Sequence, residues 1–115
     1  MILLSLKMTE AKMKNTSDGF KTFMQESGKT GEAFMEFVQK SAAASALDKK
    51  TACIAYISVL AALGADGGLP FHIKHAKQLG VTREEVKSAM LVGLPVAGLK
   101  TVAYFDIALK AYDEE

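Results

Sequence analysis

The sequence predicts an all-α fold of five or six helices. Apolar residues recur at helical spacing along most of the 115 residues. No stretch alternates apolar and polar side chains as a half-buried strand would. Recognisable helix starts and stops punctuate the chain. The length argues for one domain spanning 1–115, and half of the residues are apolar, enough for a core.

Ser17 or Thr16 can cap a first helix, in which Phe20, Phe23 and Met24 fall at i, i+3, i+4. Gly28-Lys-Thr breaks it. A second helix follows with Phe34, Phe37 and Val38 on one face, and SAAASA (41–46) is either its end or a small-residue connector. Asp48 suits the N-cap of a third helix, with Leu47 stapling back onto it. That helix should run to Leu63 and stop at Gly64. Pro70 fits the first turn of a fourth helix, where its missing N–H costs nothing. Gly80 should end this helix in a left-handed conformation. Thr82 and Glu85 form a capping box for the fifth. Gly93-Leu-Pro95 should kink or end the fifth helix, and Gly98 offers a second break. A last helix runs to about Tyr112, with Val102, Phe105 and Leu109 at helical spacing. Residues 1–16 are expected to be disordered or extended. MILLSLK lacks the basic start and the cleavage site of a signal peptide. Met8 is an alternative start to Met1.

Between Ala52 and Leu63 the third helix carries no charge, and its only polar groups are Ser58, the Tyr56 hydroxyl and the Cys53 thiol. A helix that is apolar all round must be buried all round. A chain this short has few places to hide one, so a homo-oligomer is expected. The alternative is a central helix in a monomeric bundle.

Fourteen basic residues balance thirteen acidic ones, a formal net charge of +1. That gives no electrostatic reason to expect nucleic acid or an anionic membrane as a partner. The apolar run 52–63 is too short for a bilayer, which takes about 20 residues. A single cysteine excludes an intramolecular disulfide or dithiol centre, and it fits a reducing, cytoplasmic setting.

Both histidines follow the glycine turn GADGG (64–68). His72 and His75 are i, i+3 and can share a flank of the fourth helix. Zinc needs more protein ligands than these two, and no H-E-x-x-H is present, so no metal is expected. GADGG has neither the Walker spacing nor G-x-G-x-x-G and reads as a turn, so no cofactor is expected. Cys53, in an apolar run, should behave as a buried and inert thiol with a raised pKa.

From Leu47 onward the order of signals resembles the carboxymuconolactone decarboxylase family, which includes the alkylhydroperoxidase-D-like proteins. LDKKTACIAYISVLAALG is followed by an irregular stretch, then HIKHAKQLGVTREEV, then a turn at Gly98. His72 eight residues before Gly80, and Thr82 with Glu85, carry most of the likeness, which covers about 34–110. The resemblance implies an all-helical subunit assembled as a trimer or hexamer. The family's peroxidase branch uses C-x-x-C, a histidine four residues after the second cysteine, and a glutamate twelve before the first. Those positions fall here on Ala65, Gly68, His72 and Cys53, so only the histidine matches. The decarboxylase branch, which lacks the cysteines, usually has an arginine and a glutamate at Ala65 and Gly68.

The resemblance therefore implies a carboxymuconolactone decarboxylase-like protein without dithiol peroxidase chemistry. One reading is a lyase or isomerase of a small molecule that uses His72 for proton transfer. Another is a non-catalytic binding or assembly protein on a decayed enzyme scaffold, and a third is weak peroxiredoxin-like activity through Cys53. In the first turn of its helix, His72 should have its pKa lowered by the helix dipole and stay neutral. His75, with no counterpart in the family's motif, should matter little.

Overall fold

A computed structural model describes residues 17–65 and 67–114. The expectations for residues 1–16, including a Thr16 cap and the choice of start, lie outside the described residues. The described residues form helices and connecting turns, with no strand. Six helices have nine residues or more: α1 (Asp18–Glu26), α2 (Lys29–Ala44), α3 (Lys49–Leu63), α4 (Leu69–Gln78), α5 (Arg83–Leu91) and α7 (Phe105–Asp113). Between the last two lie a one-turn helix, α6 (Leu94–Ala97), and a 3-10 segment, Gly98–Val102. The chain divides after Ala46 into two compact units.

In the first unit, the Ser17 side chain accepts from the N–H of Phe20 at 3.1 Å and caps α1. The Phe23 and Phe34 rings meet edge-on at 5.7 Å, joining α1 to α2. The helix α2 absorbs the first four residues of SAAASA, and Ser45-Ala46-Leu47 is the connector.

In the second unit, Asp48 caps α3 by accepting from Thr51 N–H at 2.7 Å. Gly64 ends α3 at φ +65°, a left-handed conformation that a side chain would strain. Thr82 and Glu85 make the reciprocal capping box that starts α5. The helix α3 packs against α4, α5 and the 3-10 segment, and α7 closes over α4 and α5. Ile57, Leu69, Ile73, Val81, Val86 and Met90 are fully buried at the centre. Truncating such a side chain to alanine costs about 2–5 kcal/mol. Two part-buried hydroxyl hydrogen bonds help tie the helices together. Ser58 Oγ donates to the Ala89 carbonyl at 2.8 Å, fixing α3 to α5, and Tyr112 Oη donates to Val81 O at 2.8 Å, fixing α7 to the α4–α5 turn.

One expectation needs correction. Val102 lies outside the last helix, in the 3-10 segment, because Gly98 at φ +78° resets the backbone and α7 starts only after Tyr104. The buried face of α7 is then Ala108 and Ala111, where small side chains allow close approach to its neighbours. Within one chain α3 buries one face and leaves another exposed. Cys53, Ile57 and Ala61 face the core, while Tyr56, Val59 and Leu63 are exposed.

Candidate functional site

The helix α4 packs back on α3, so His72 comes to rest against α3. Its ring stacks on Tyr56 of α3 at 4.4 Å between centroids, tilted by 36°. Phe71, next to it on α4, meets the ring edge-on at 5.1 Å. Gly68 lies under the edge of the ring that carries Nε2. A Cβ on Gly68 would stand 3.4 Å from His72 Cδ2 and 3.6 Å from Nε2. The missing side chain leaves that edge of the imidazole uncovered by residue 68. The backbone N–H of His72 donates to Gly68 O at 3.1 Å, which locks the turn to the helix.

The surroundings hold the imidazole neutral. Its pKa falls from the ordinary 6.5 to about 4, first because burial penalises the charged form and second because His75 stands close by. The direction is the one expected from the sequence, but the cause is different. Burial beside two aromatic rings does what the helix dipole was expected to do. His75 takes part too, as a neighbouring positive charge when it is protonated.

Cys53 is buried on the inner face of α3, and burial pushes its thiol up. Its Sγ lies 3.9 Å from the backbone carbonyl of His72, a long S–H···O contact to the main chain. The structure thus places Cys53 beside the backbone of the fourth helix, and the thiol has no cation to stabilise a thiolate in the interactions that set its pKa. Among the described residues no three His, Cys, Asp or Glu side chains converge as a metal site would require. No single described helix is long and apolar enough to cross a membrane.

Two neighbours of His72 were not among the residues singled out from sequence as a site. Phe71 carries no signal beyond being apolar. Tyr56 does carry one: it is the single aromatic residue of α3, whose other side chains from Thr51 to Leu63 are small or aliphatic.

The carboxymuconolactone decarboxylase family model matches residues 28–111, from the start of α2 nearly to the end of α7. This chain belongs to the carboxymuconolactone decarboxylase family. No curated protein and no solved structure was found to match it. A shallow groove between α3 and α5, lined by Ile54, Ser58, Glu84, Glu85, Ser88, Ala89 and Val92, contains none of the site residues expected from sequence. Glu85 there is committed to the capping box and Glu84 pairs with Lys87 at 2.9 Å.

Proposed function

We propose that this member of the carboxymuconolactone decarboxylase family binds a small carbonyl compound, of the lactone or keto-acid class, at His72 and acts on it as a lyase or isomerase without dithiol peroxidase chemistry. The observation that supports this reading is the half-buried, neutral imidazole held between Tyr56 and Phe71 above the bare Gly68. Departure of CO2 from a carboxylate on the carbon next to a carbonyl, with the C–C bonding pair left behind, or loss of a proton from that carbon, leaves negative charge on an enolate oxygen. A neutral imidazole N–H donates to that oxygen without a compensating change in net charge. In a partly water-excluded site such a donor is worth more than in bulk water. With its pKa near 4, His72 is a weak base at neutral pH, so hydrogen-bond donation to the oxyanion is the role that fits, and a proton passes through the ring only as its second nitrogen gains one from water.

The exposed stripe on α3 supports assembly as a homo-oligomer, with the trimer or hexamer of the family resemblance as the proposed states. The lone buried thiol suits a reducing cytoplasm. The stripe also favours a second reading, a non-catalytic assembly protein. Screening lactones and keto acids against the wild type, His72→Gln and His75→Gln separates the two. Under the first reading His72→Gln stays folded and loses about 10²–10³ in rate, the usual loss for one oxyanion donor, while His75→Gln keeps its activity. Activity that survives in folded His72→Gln removes the imidazole from the chemistry. A wild type that binds and turns over nothing in the screen favours the assembly reading.

A further inference from the structure

The corner that holds His72 is built without lysine or arginine. The sequence from Ala52 to Ile73, which supplies most of α3 and the start of α4, contains neither, and apart from His72 its one ionisable residue of either sign outside the thiol and phenol is Asp66, an acid. The lysines that follow on α4 are drawn to the end of α7. There Lys74 pairs with Glu114 at 3.8 Å, and Lys77 donates to the Tyr112 carbonyl at 2.8 Å. At the start of α3, Lys50 reaches Glu85 at 3.7 Å. Apart from His75, no charged side chain among the described residues acts on the His72 imidazole. The first turn of α4 is also a poor place for an anion. Pro70 carries no N–H, and the N–H of His72 is bound to Gly68 O. What the corner offers is flat apolar surface. Tyr56 stacks on the imidazole at 4.4 Å yet remains half exposed, and Phe71 stands edge-on to the same ring at 5.1 Å. Aromatic faces carry partial negative charge, which disfavours an anion and suits another flat ring. Bare Gly68 leaves the Nε2 edge of the imidazole open beside this surface.

We infer that the His72 site takes an uncharged, flat, conjugated carbonyl ring, held against the exposed part of Tyr56, and that it discriminates against the carboxylated form of the same ring. The inference rests on the assignment of His72 as the site, and it narrows the ligand from lactones and keto acids to the unsaturated lactone side. A carboxylate that enters the corner gives up water and meets no lysine or arginine in return, so its charge is left uncompensated. An uncharged ring gives up little hydration and gains aromatic contact. Its carbonyl oxygen accepts from the imidazole at the edge that Gly68 leaves open. A saturated ring is puckered and cannot lie flat on Tyr56, so flatness is selected together with charge.

Three probes of similar size separate charge from flatness. They are α-pyrone, a flat uncharged lactone; coumalate, the same ring bearing a carboxylate; and δ-valerolactone, its saturated counterpart. Binding is read by nuclear magnetic resonance titration of the His72 and Tyr56 ring signals at pH 8, where an ordinary histidine is neutral. The wild type is compared with Tyr56→Leu and Tyr56→Phe. Tyr56 is half exposed, so both variants should keep their helical circular dichroism. The expected result is that α-pyrone binds the wild type at least tenfold more tightly than either other probe and shifts both ring signals. Tyr56→Phe keeps this ranking, while Tyr56→Leu loses the preference for α-pyrone over δ-valerolactone. A merely structural role of Tyr56 would lower the affinity for both lactones alike. If Tyr56→Leu does not fold, the ranking on the wild type and Tyr56→Phe decides. Coumalate or δ-valerolactone bound as tightly as α-pyrone, or no binding of α-pyrone, overturns the inference. A preference that survives in folded Tyr56→Leu overturns the part given to Tyr56. Preference for α-pyrone with no turnover of any compound in the substrate screen keeps the inference and discards the proposed chemistry alone. Turnover of keto acids with coumalate as the tightest probe does the reverse.

Discussion

Tyr56 and His72 stack with their ring centroids 4.4 Å apart, joining the outer face of α3 to the first turns of α4. Burial of the imidazole, to which this contact contributes, and the nearby His75 hold the histidine neutral. The flat phenol ring displaces water from one side of the imidazole and offers no carboxylate to stabilise a proton, so the cation is penalised. With a folded pKa near 4 and an ordinary value of 6.5 when unfolded, the unfolded chain binds more protons between those limits. Stability from this group is therefore fully present above pH 6.5 and is lost as pH falls toward 4. Partial solvent access holds the loss below about 3 kcal/mol. Thermal melts at pH 7.5 and pH 5 should show a larger drop in Tm for the wild type than for His72→Gln. Equal drops would show that His72 is not buried neutral.

Gly68→Ala should separate access from folding. The residue has φ −106°, which any L-residue adopts, and an added methyl would make ordinary contacts with His72 Cδ2 and Nε2. Tm should change little, by less than that of a core truncation. The methyl occupies the space beside Nε2, so affinity for any ligand that bonds this nitrogen should fall at least tenfold. Calorimetric titration with a ligand from the substrate screen measures it, and unchanged affinity would place the ligand on the other side of the ring.

Tyr112→Phe removes one hydrogen bond and leaves Val81 O without its partner at the turn between α4 and α5. The expected loss is about 1–3 kcal/mol, read by urea unfolding at pH 7. The Arg83–Asp113 pair at 2.8 Å joins the same two regions but is exposed to solvent. Its Asp113→Asn variant should unfold close to the wild type, and high salt should erase what difference there is.

Much of this was legible in the sequence because short-range chemistry decided it. Asp48, Gly64, Gly80, Thr82 and Glu85 act on backbone groups within a few residues, so their types and spacing were enough to place the ends of α3, α4 and α5. Ser17 marked the start of α1 for the same reason. The last helix was harder. Helical spacing of Val102, Phe105 and Leu109 says nothing about the reset at Gly98, and the buried face turned out to rest on Ala108 and Ala111. Only packing against α4 and α5 selects those small residues. At the candidate site, His72 was singled out by the family resemblance, eight residues before Gly80. Its partners were not, because the stacking on Tyr56 depends on how α4 folds back on α3. The two residues are sixteen positions apart, and no local pattern links them.

Cys53 supplies the last prediction. A thiol peroxidase needs a thiolate to attack the peroxide oxygen and a second thiol to resolve the sulfenic acid that forms. Burial raises the pKa of Cys53, and its Sγ faces a main-chain carbonyl at 3.9 Å, an acceptor that favours the protonated thiol. Cys53 is the only cysteine of the sequence, so one chain offers no resolving thiol. Peroxide consumption with a dithiol reductant should therefore stay at the level of the protein-free control, and Cys53→Ala should leave it there. The same substitution removes one buried sulfur and should cost about 1 kcal/mol of stability, as expected for a small cavity in the buried core. Turnover of peroxide by the wild type that disappears in a folded Cys53→Ala would show that the thiol is reached and ionised, and would move the chemistry of this chain from His72 to Cys53.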